Sequence, residues 1–310
     1  MAFYGLSRDV PPLNLRRCIF YKSKKIFYGH YIGIMHLNSY SIQPNLSHFT
    51  PTENKNVYFC GKNRLCQPTN TNLQEALGQE NVELLNRIRL IGKAQNQETF
   101  LFGGAVRDCL LGEKPHDLDI IVNGDALNFA RQLKKTDRKL FSRILLKTPV
   151  KRAIVHTNGM NMDIVPLCSD GSYVSGKDAI RAAINKKSRN SDFSVNSMII
   201  KLDEDKEGHL KLKLIDYMRA KKDLKENRLR TLNKDEFAEN PVLALRGKRY
   251  QKRYKMSMDS ETKRLINENI RNPKKAGNPL RVIKELYKFA MEQKDPFVVL
   301  RFLFNYKIFK

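Results

Sequence analysis

The stretch LFGGAVRDCLLGEKPHDLDIIV, from Leu101 to Val122, decides how the chain folds. A short apolar run ends at Gly103-Gly104. AVRDCLL then reads as a helix that Gly112 can stop, with Pro115 just beyond, and DLDIIV reads as a strand. Strand side chains alternate faces, so Asp117 and Asp119 point one way and Leu118 and Ile120 the other. Adjacent carboxylates repel, and they must be well solvated, share a proton or hold a cation. A hard ion such as Mg²⁺ suits two oxygen ligands together with substrate phosphates. Gly103-Gly104 lets backbone approach a phosphate where a helix N-terminus is electropositive, and Arg107, one turn on, is placed to reach the same phosphates. Taken singly, the aspartates also fit a solvated strand end and the glycines an ordinary turn. Their combination points to phosphate chemistry. The pattern is neither G-x-G-x-x-G nor a P-loop, which argues against dinucleotide and Walker-type sites.

Outward from this stretch, LQEALGQENVELLNRIRLIGKA has helical spacing and TFLF reads as a buried strand. DALNFARQL is an amphipathic helix and RILL a strand. RAIVHT and NMDIVPL form a hairpin around Asn158-Gly159, and SVNSMIIKL is a further strand. Mixed strands and helices predict an α/β sheet domain over about 97–218. From Ala220 onward helical signals dominate, and no internal repeat appears.

Lys and Arg total 57 against 32 Asp and Glu, a formal charge of +25. Such a surplus points to a polyanionic partner, although some basic proteins use their charge only for solvation. No run approaches the ~18–20 apolar residues of a membrane span, so nucleic acid is favoured over a membrane. The five cysteines, odd in number and scattered, fit reduced thiols rather than a disulfide framework. Cys60 and Cys66 match no standard zinc spacing. Residues 1–71 are basic and acid-poor: Arg8, Arg16, Arg17, Lys22, Lys24 and Lys25 face only Asp9 before Glu53. That composition fits a mitochondrial or plastid transit peptide and equally a disordered basic arm.

Gly103 to Asp119 matches a G-G-x-V-R-D-x-L-L-G run followed by D-x-D. In this it resembles the class II tRNA nucleotidyltransferases and bacterial-type poly(A) polymerases, over most of 97 to about 290. The resemblance implies a polymerase-β-like head (72–218) that adds nucleotides to RNA 3′ ends. A helical neck (219–275) binding nucleotide and RNA, and a truncated helical body (276–310), would follow. Asp117 and Asp119 would hold two Mg²⁺ ions, with ATP and also CTP as candidate substrates. A third carboxylate in the family lies on a neighbouring strand; Asp163 is the best match, and a solvated strand aspartate fits the sequence as well.

Two further signatures are altered. R-R-D-F-T-x-N-A reads NSDFSVNS here: Asp192, Phe193 and Asn196 are kept, while Asn190 and Ser191 replace the arginines. E-D-x-x-R-x-x-R-x-x-R reads ENPVLALRGKRY, keeping Glu239, Arg246 and Arg249 but placing Asn240 and Leu243 at the pair that selects the base. Asn240 both donates and accepts, whereas Leu243 does neither, so base choice must differ or relax. Arg246 and Arg249, three apart on one helical face, would meet a triphosphate or merely form a solvated basic face. Lys248, Lys252, Arg253 and Lys255, interleaved with Tyr250 and Tyr254, suit an RNA backbone, although at this spacing the tyrosines equally suit a core.

The reading is therefore an RNA 3′-nucleotidyltransferase acting on tRNA or another RNA end, with a protein partner compatible with the short C-terminal part. Two alternatives stand beside it: a catalytically weak RNA-binding relative, and a transferase acting on a small molecule, which the charge disfavours.

Overall fold

Thr99–Phe102 (β1) and Leu118–Val122 (β2) lie side by side in the middle of one sheet, as the alternation in TFLF and DLDIIV requires. The computed structural model describes residues 69–240, 242–270, 279–293, 297 and 300–301, all in one compact unit spanning 56–310. The expected transit segment lies outside the described residues, apart from its last three.

The chain enters through Asn70–Leu77 (α1) and Gln79–Ala94 (α2). The spacing predicts helix over this stretch. Gly78 breaks it at φ 78°, a conformation glycine adopts without Cβ strain. After β1 comes Gly104–Leu110 (α3), then β2, then Ala126–Thr136 (α4), whose first turn is capped by the Asp125 carboxylate on the N–H groups of Leu127 and Asn128. Arg143–Lys147 (β3), Arg152–Thr157 (β4) and Met160–Pro166 (β5) follow. Thr157 pairs with Met160 across Asn158-Gly159, both at positive φ, which is the two-residue hairpin the sequence called for. Lys177–Arg189 (α5), Ile199–Glu204 (β6) and Leu210–Ile215 (β7) complete the head.

The sheet order is β3-β4-β5-β2-β1-β6-β7, and only β2 and β5 run parallel. Leu118, Ile120 and Val122 enter the large core beneath α1, α2 and α4, with Phe129, Leu133 and Met162. The other face carries Phe100, Ile121 and Ile199 against Ile184 of α5. α1 closes the β7 edge: the Asn70 and Gln74 amides donate to the Leu210 carbonyl, and Asn70 Oδ1 accepts from Leu212 N–H.

The expected strand SVNSMIIKL begins only at Ile199, because Ser194–Asn196 turns as a 3₁₀ segment whose Ser194 N–H donates to the Arg230 carbonyl. Beyond the sheet lie Ala220–Lys225 (α6), Lys234–Glu239 (α7), Val242–Arg253 (α8), Ser260–Asn269 (α9) and Pro279–Gln293 (α10). The α/β head is thus followed by a predominantly helical region, the polymerase-β-like arrangement expected from the sequence.

Candidate active site

Across the middle of the sheet, Asp119 in β2 pairs in register with Asp163 in β5 and with Phe102 in β1. Residues directly opposite on adjacent strands share a face, so the two side chains rise from backbones about one strand spacing, ~4.8 Å, apart. Asp117 lies in the bend just before β2, is exposed, and its charge acts on Asp119. This face is the one covered by α5 rather than the large core.

Burial pushes the Asp119 carboxyl up to about 7, and the like charges of Asp163 and Asp117 push in the same direction against the partial relief of Arg152 and Lys288. Arg152 clamps Asp163 with both Nε, at 3.1 Å, and Nη2. On the other side of Asp119 is the glycine turn. Gly103 sits at φ 76°, and a Cβ there would lie 3.4 Å from Asp119 Oδ2, so the turn rests directly on the carboxylate. The Gly103 N–H is spent on the Met198 carbonyl at 3.4 Å.

The remaining expected nucleotide-binding residues form a connected polar interior between head and helices. Arg107 is buried; it holds Asp108 Oδ1 through Nε and Nη2, at 2.9 and 2.7 Å, and donates to Asn196 Oδ1 at 2.6 Å. Its guanidinium lies over Tyr250 and Tyr254, with centroids at 4.8 and 5.0 Å. Asn196 Nδ2 donates to Asp192 Oδ1, and Arg246 donates to Asp192 Oδ2 at 2.7 Å. Burial alone would raise Asp192; the Arg246 charge, with hydrogen bonds from Asn196, Arg246 and the Phe193 N–H, holds it below the ordinary carboxylate value.

Arg249 is buried against Glu285 and Glu292 of α10, at 2.6 and 2.5 Å. Arg253 joins Glu292 to Glu113, which lies in the loop before Asp117. The two tyrosines pack into the interior: Tyr250 lies 5.8 Å from Phe193 and 5.6 Å from Tyr254 between ring centroids. Lys252 and Lys255 are exposed and Lys248 is half-buried.

Leu243 is packed in the core. The Asn240 N–H and C=O are both used, toward Glu236 O and Leu243 N, while its Oδ1 is shut off from solvent with no hydrogen-bond partner among the described residues. That leaves an acceptor waiting for a donor. The Glu239 side chain lies outside the described residues.

Sequence reasoning missed Arg152 and the two α10 glutamates. Arg152 carries a signal, since hairpin register around Asn158-Gly159 puts it diagonally across from Asp163. The glutamates carry none, lying 36 and 43 residues from Arg249.

Oxygen-only donors and mutual repulsion make Asp117 and Asp119 fit a hard divalent ion. The three carboxylates are not drawn together tightly. Among the described residues, three metal-type donors within 4.8 Å of one another occur at Asp205, Glu207 and His209, all exposed on the β6–β7 turn. There Asp205 Oδ1 accepts the Glu207 and His209 N–H groups, the work of a turn residue.

A family model described as the poly(A) polymerase head domain matches residues 99–230. The chain is similar to the Geobacter sulfurreducens A-adding tRNA nucleotidyltransferase, at 27% identity over 71% of this chain and 25% of that protein. It is likewise similar to the Halalkalibacterium halodurans A-adding enzyme, at 27% over 72% of this chain and 52% of the relative. Poly(A) polymerase I of Haemophilus influenzae is 26% identical over 59% of this chain and 41% of its own. Among solved structures, the Thermotoga maritima CCA-adding enzyme complexed with tRNA matches at TM-score 0.62 and 28% identity, covering 78% of this chain and 54% of that one. The chain carries a head domain of the class II nucleotidyltransferases, the CCA-adding enzymes and poly(A) polymerases. It spans between a quarter and about half of the length of these curated relatives. In this chain the glycine turn lies against Asp119, while at the two positions where the sequence departs from the family signature Leu243 is packed in the core and Asn240 Oδ1 is closed off from solvent.

Proposed function

We propose that the chain is a template-independent nucleotidyltransferase that extends RNA 3′ ends from nucleoside triphosphates, with tRNA the first acceptor to test. The observation that carries this reading is Asp119, flanked in register by Asp163 and resting against Gly103. Asp117 and Asp119 would hold Mg²⁺, which when bound supplies a more acidic RNA 3′-hydroxyl and charge neutralisation on the triphosphate.

The chain's own residues set the geometry around that chemistry. Arg152 fixes the Asp163 carboxylate, so the row keeps its spacing although its members repel. Gly103, at φ 76°, lets the turn come against the other flank of Asp119 in a conformation that a side chain would strain. Arg246 and Asn196 fix Asp192 in its ionised form and hold the altered second signature in place. Adenine and cytosine both carry an exocyclic amino group, the kind of donor that Asn240 Oδ1 would accept were its solvent-excluded position opened. ATP and CTP are therefore the nucleotides to compare.

The test is incorporation of labelled ATP or CTP into tRNA lacking its 3′ end, with Mg²⁺ present. Asp119→Ala should reduce incorporation by at least a thousandfold; activity surviving that change would remove the metal assignment. A second reading, an RNA-binding relative with little catalysis, is favoured by Leu243 in the core and by Arg249 already neutralised by carboxylates. Under it, RNA binds with steep salt dependence and no nucleotide is incorporated.

A further inference from the structure

The register row that contains Asp119 continues across the sheet to a second cationic feature. Phe102, paired with Asp119, is paired in turn with Ile199, and Ile199 with Ile215 of β7. β7 runs in the direction opposite to β2, so the residues just after Ile215 emerge at the same end of the sheet as Asp117. They also emerge on the same face, since Phe102, Ile199, Ile215 and Tyr217 share one apolar cluster. Three strand spacings, about 14 Å, separate the two points.

Here Tyr217, Met218, Arg219, Lys222, Arg228 and Arg230 line a cavity of about 320 Å³. Four of the six are cations and none is acidic. Behind them Asp223, fully buried, accepts from Arg228 Nε at 2.7 Å and Arg230 Nε at 3.0 Å, and Arg230 Nη2 donates to the Met218 carbonyl at 2.6 Å. Two guanidiniums are thus held in fixed orientation on one buried carboxylate, and Arg228 Nη2 also faces Glu226 at 3.3 Å. Lys222 faces Glu226 only loosely, at 3.7 Å on the surface. Arg219 is exposed and makes no ion pair among the described residues.

Arg219 also stands at φ 57°, in the left-handed region that glycine occupies without strain. The segment adjoins the altered second signature directly, because the Arg230 carbonyl accepts the Ser194 N–H.

We infer that this cavity is a phosphate-binding site, seated by a backbone phosphate of the RNA upstream of its 3′ end. Oriented guanidiniums match the phosphate oxygens, and the face and end of the sheet are those of the carboxylates. The RNA assignment rests on the function proposed above; the phosphate chemistry does not. A free phosphate or pyrophosphate offers the same group, and the experiment separates the two sources.

In the full chain, Arg219→Gly removes a cation while relieving the backbone, so it should melt no lower than the parent. Lys222→Gln is the second variant. Binding of fluorescent single-stranded RNA is followed by anisotropy across a salt series, without nucleotide. Each change should weaken RNA several-fold at low salt and make the slope of log affinity against log salt shallower by about one. In parallel, inorganic phosphate and pyrophosphate are titrated calorimetrically. Saturable phosphate binding lost in Arg219→Gly, with RNA binding unchanged, would keep the site and replace RNA by the free anion. Variants that melt like the parent and bind both RNA and phosphate like the parent overturn the inference. Absence of nucleotide incorporation by the parent, with these binding losses present, would sink the proposed enzyme and leave the cavity standing.

Discussion

Asp119 carries a charge in a place that disfavours it. Its carboxyl is pushed up to about 7 first by burial and then by Asp163 and Asp117, so the folded protein bears repulsion that the unfolded chain does not. Asp119→Asn should therefore abolish incorporation and yet raise metal-free stability at pH 8 by roughly 1–2 kcal/mol. Thermal melts with and without Mg²⁺ check this: the ion should raise the parent's Tm and leave the variant's almost unmoved. Lys187 gives a separate case, whose sign follows from burial. Its ammonium donates to the Pro166 carbonyl at 2.5 Å, and desolvation lowers it from 10.5 to about 8, against a smaller opposing effect of Cys168. Below pH 8 both states hold the proton and the native state bears the cost. Between about 8 and 10.5 the unfolded chain keeps the proton while the native one releases it, so stability rises with pH through that window. Lys187→Met should stabilise by about 2 kcal/mol at pH 7, and the gain should shrink toward zero by pH 10.5 in denaturant titrations.

Elements whose period is local were legible. Leu118, Ile120 and Val122 enter one core and Ile121 the other, as strand alternation demands, and Asn158-Gly159 forms its two-residue turn because both positions tolerate positive φ. Where tertiary contacts outrank local pattern, the reading failed. Ser194–Asn196 has strand-like neighbours but turns, drawn by Arg230 on one side and by Arg107 and Asp192 on the other. The helix Lys177–Arg189 was missed because only Ile180, Ala183 and Ile184 mark its apolar side. The strand Leu210–Ile215 had its signal in plain alternation, LKLKLI, and was overlooked. Close packing of α8 depends on a glycine that no motif explains. A Cβ at Gly247 would meet Ile266 Cδ1 at 2.4 Å and Phe193 Cζ at 3.1 Å. The isoleucine tip can yield, but the fully buried phenylalanine cannot, so Gly247→Ala should cost about 1–3 kcal/mol despite alanine's better helix propensity. Urea titration measures the loss, and a stabilised variant would contradict this packing.

At the scale of the molecule, cations and carboxylates join parts that are distant in sequence. Arg249 reaches Glu285 and Glu292, Arg246 reaches Asp192, and Arg253 ties Glu292 to Glu113 in the head, so α10, α8 and the loop before Asp117 are held by one ionic network. The sequence showed the arginines as a basic helical face; it could not show that glutamates some forty residues on would neutralise them, because ion pairing across helices leaves no local period. This network sets which cations α8 and the residues after it leave at the surface: Lys252 and Lys255 are exposed, while Arg249 and Arg253 are engaged. Glu285 is the test, being buried with its only described partners Arg249 and Arg246. Glu285→Ala removes one of the two carboxylates that hold the buried Arg249 and leaves it only Glu292, a loss of about 2–3 kcal/mol. Glu285→Gln keeps the volume and one acceptor and should cost about half as much. If the network fixes the helical region onto the head, the alanine variant should lose amide-exchange protection in both α8 and α10 while the β1–β2 centre of the sheet keeps its own. Loss confined to α10 would mean that the helices dock independently and that Arg249 is held by packing on Tyr250, 4.7 Å from its ring centroid, rather than by charge.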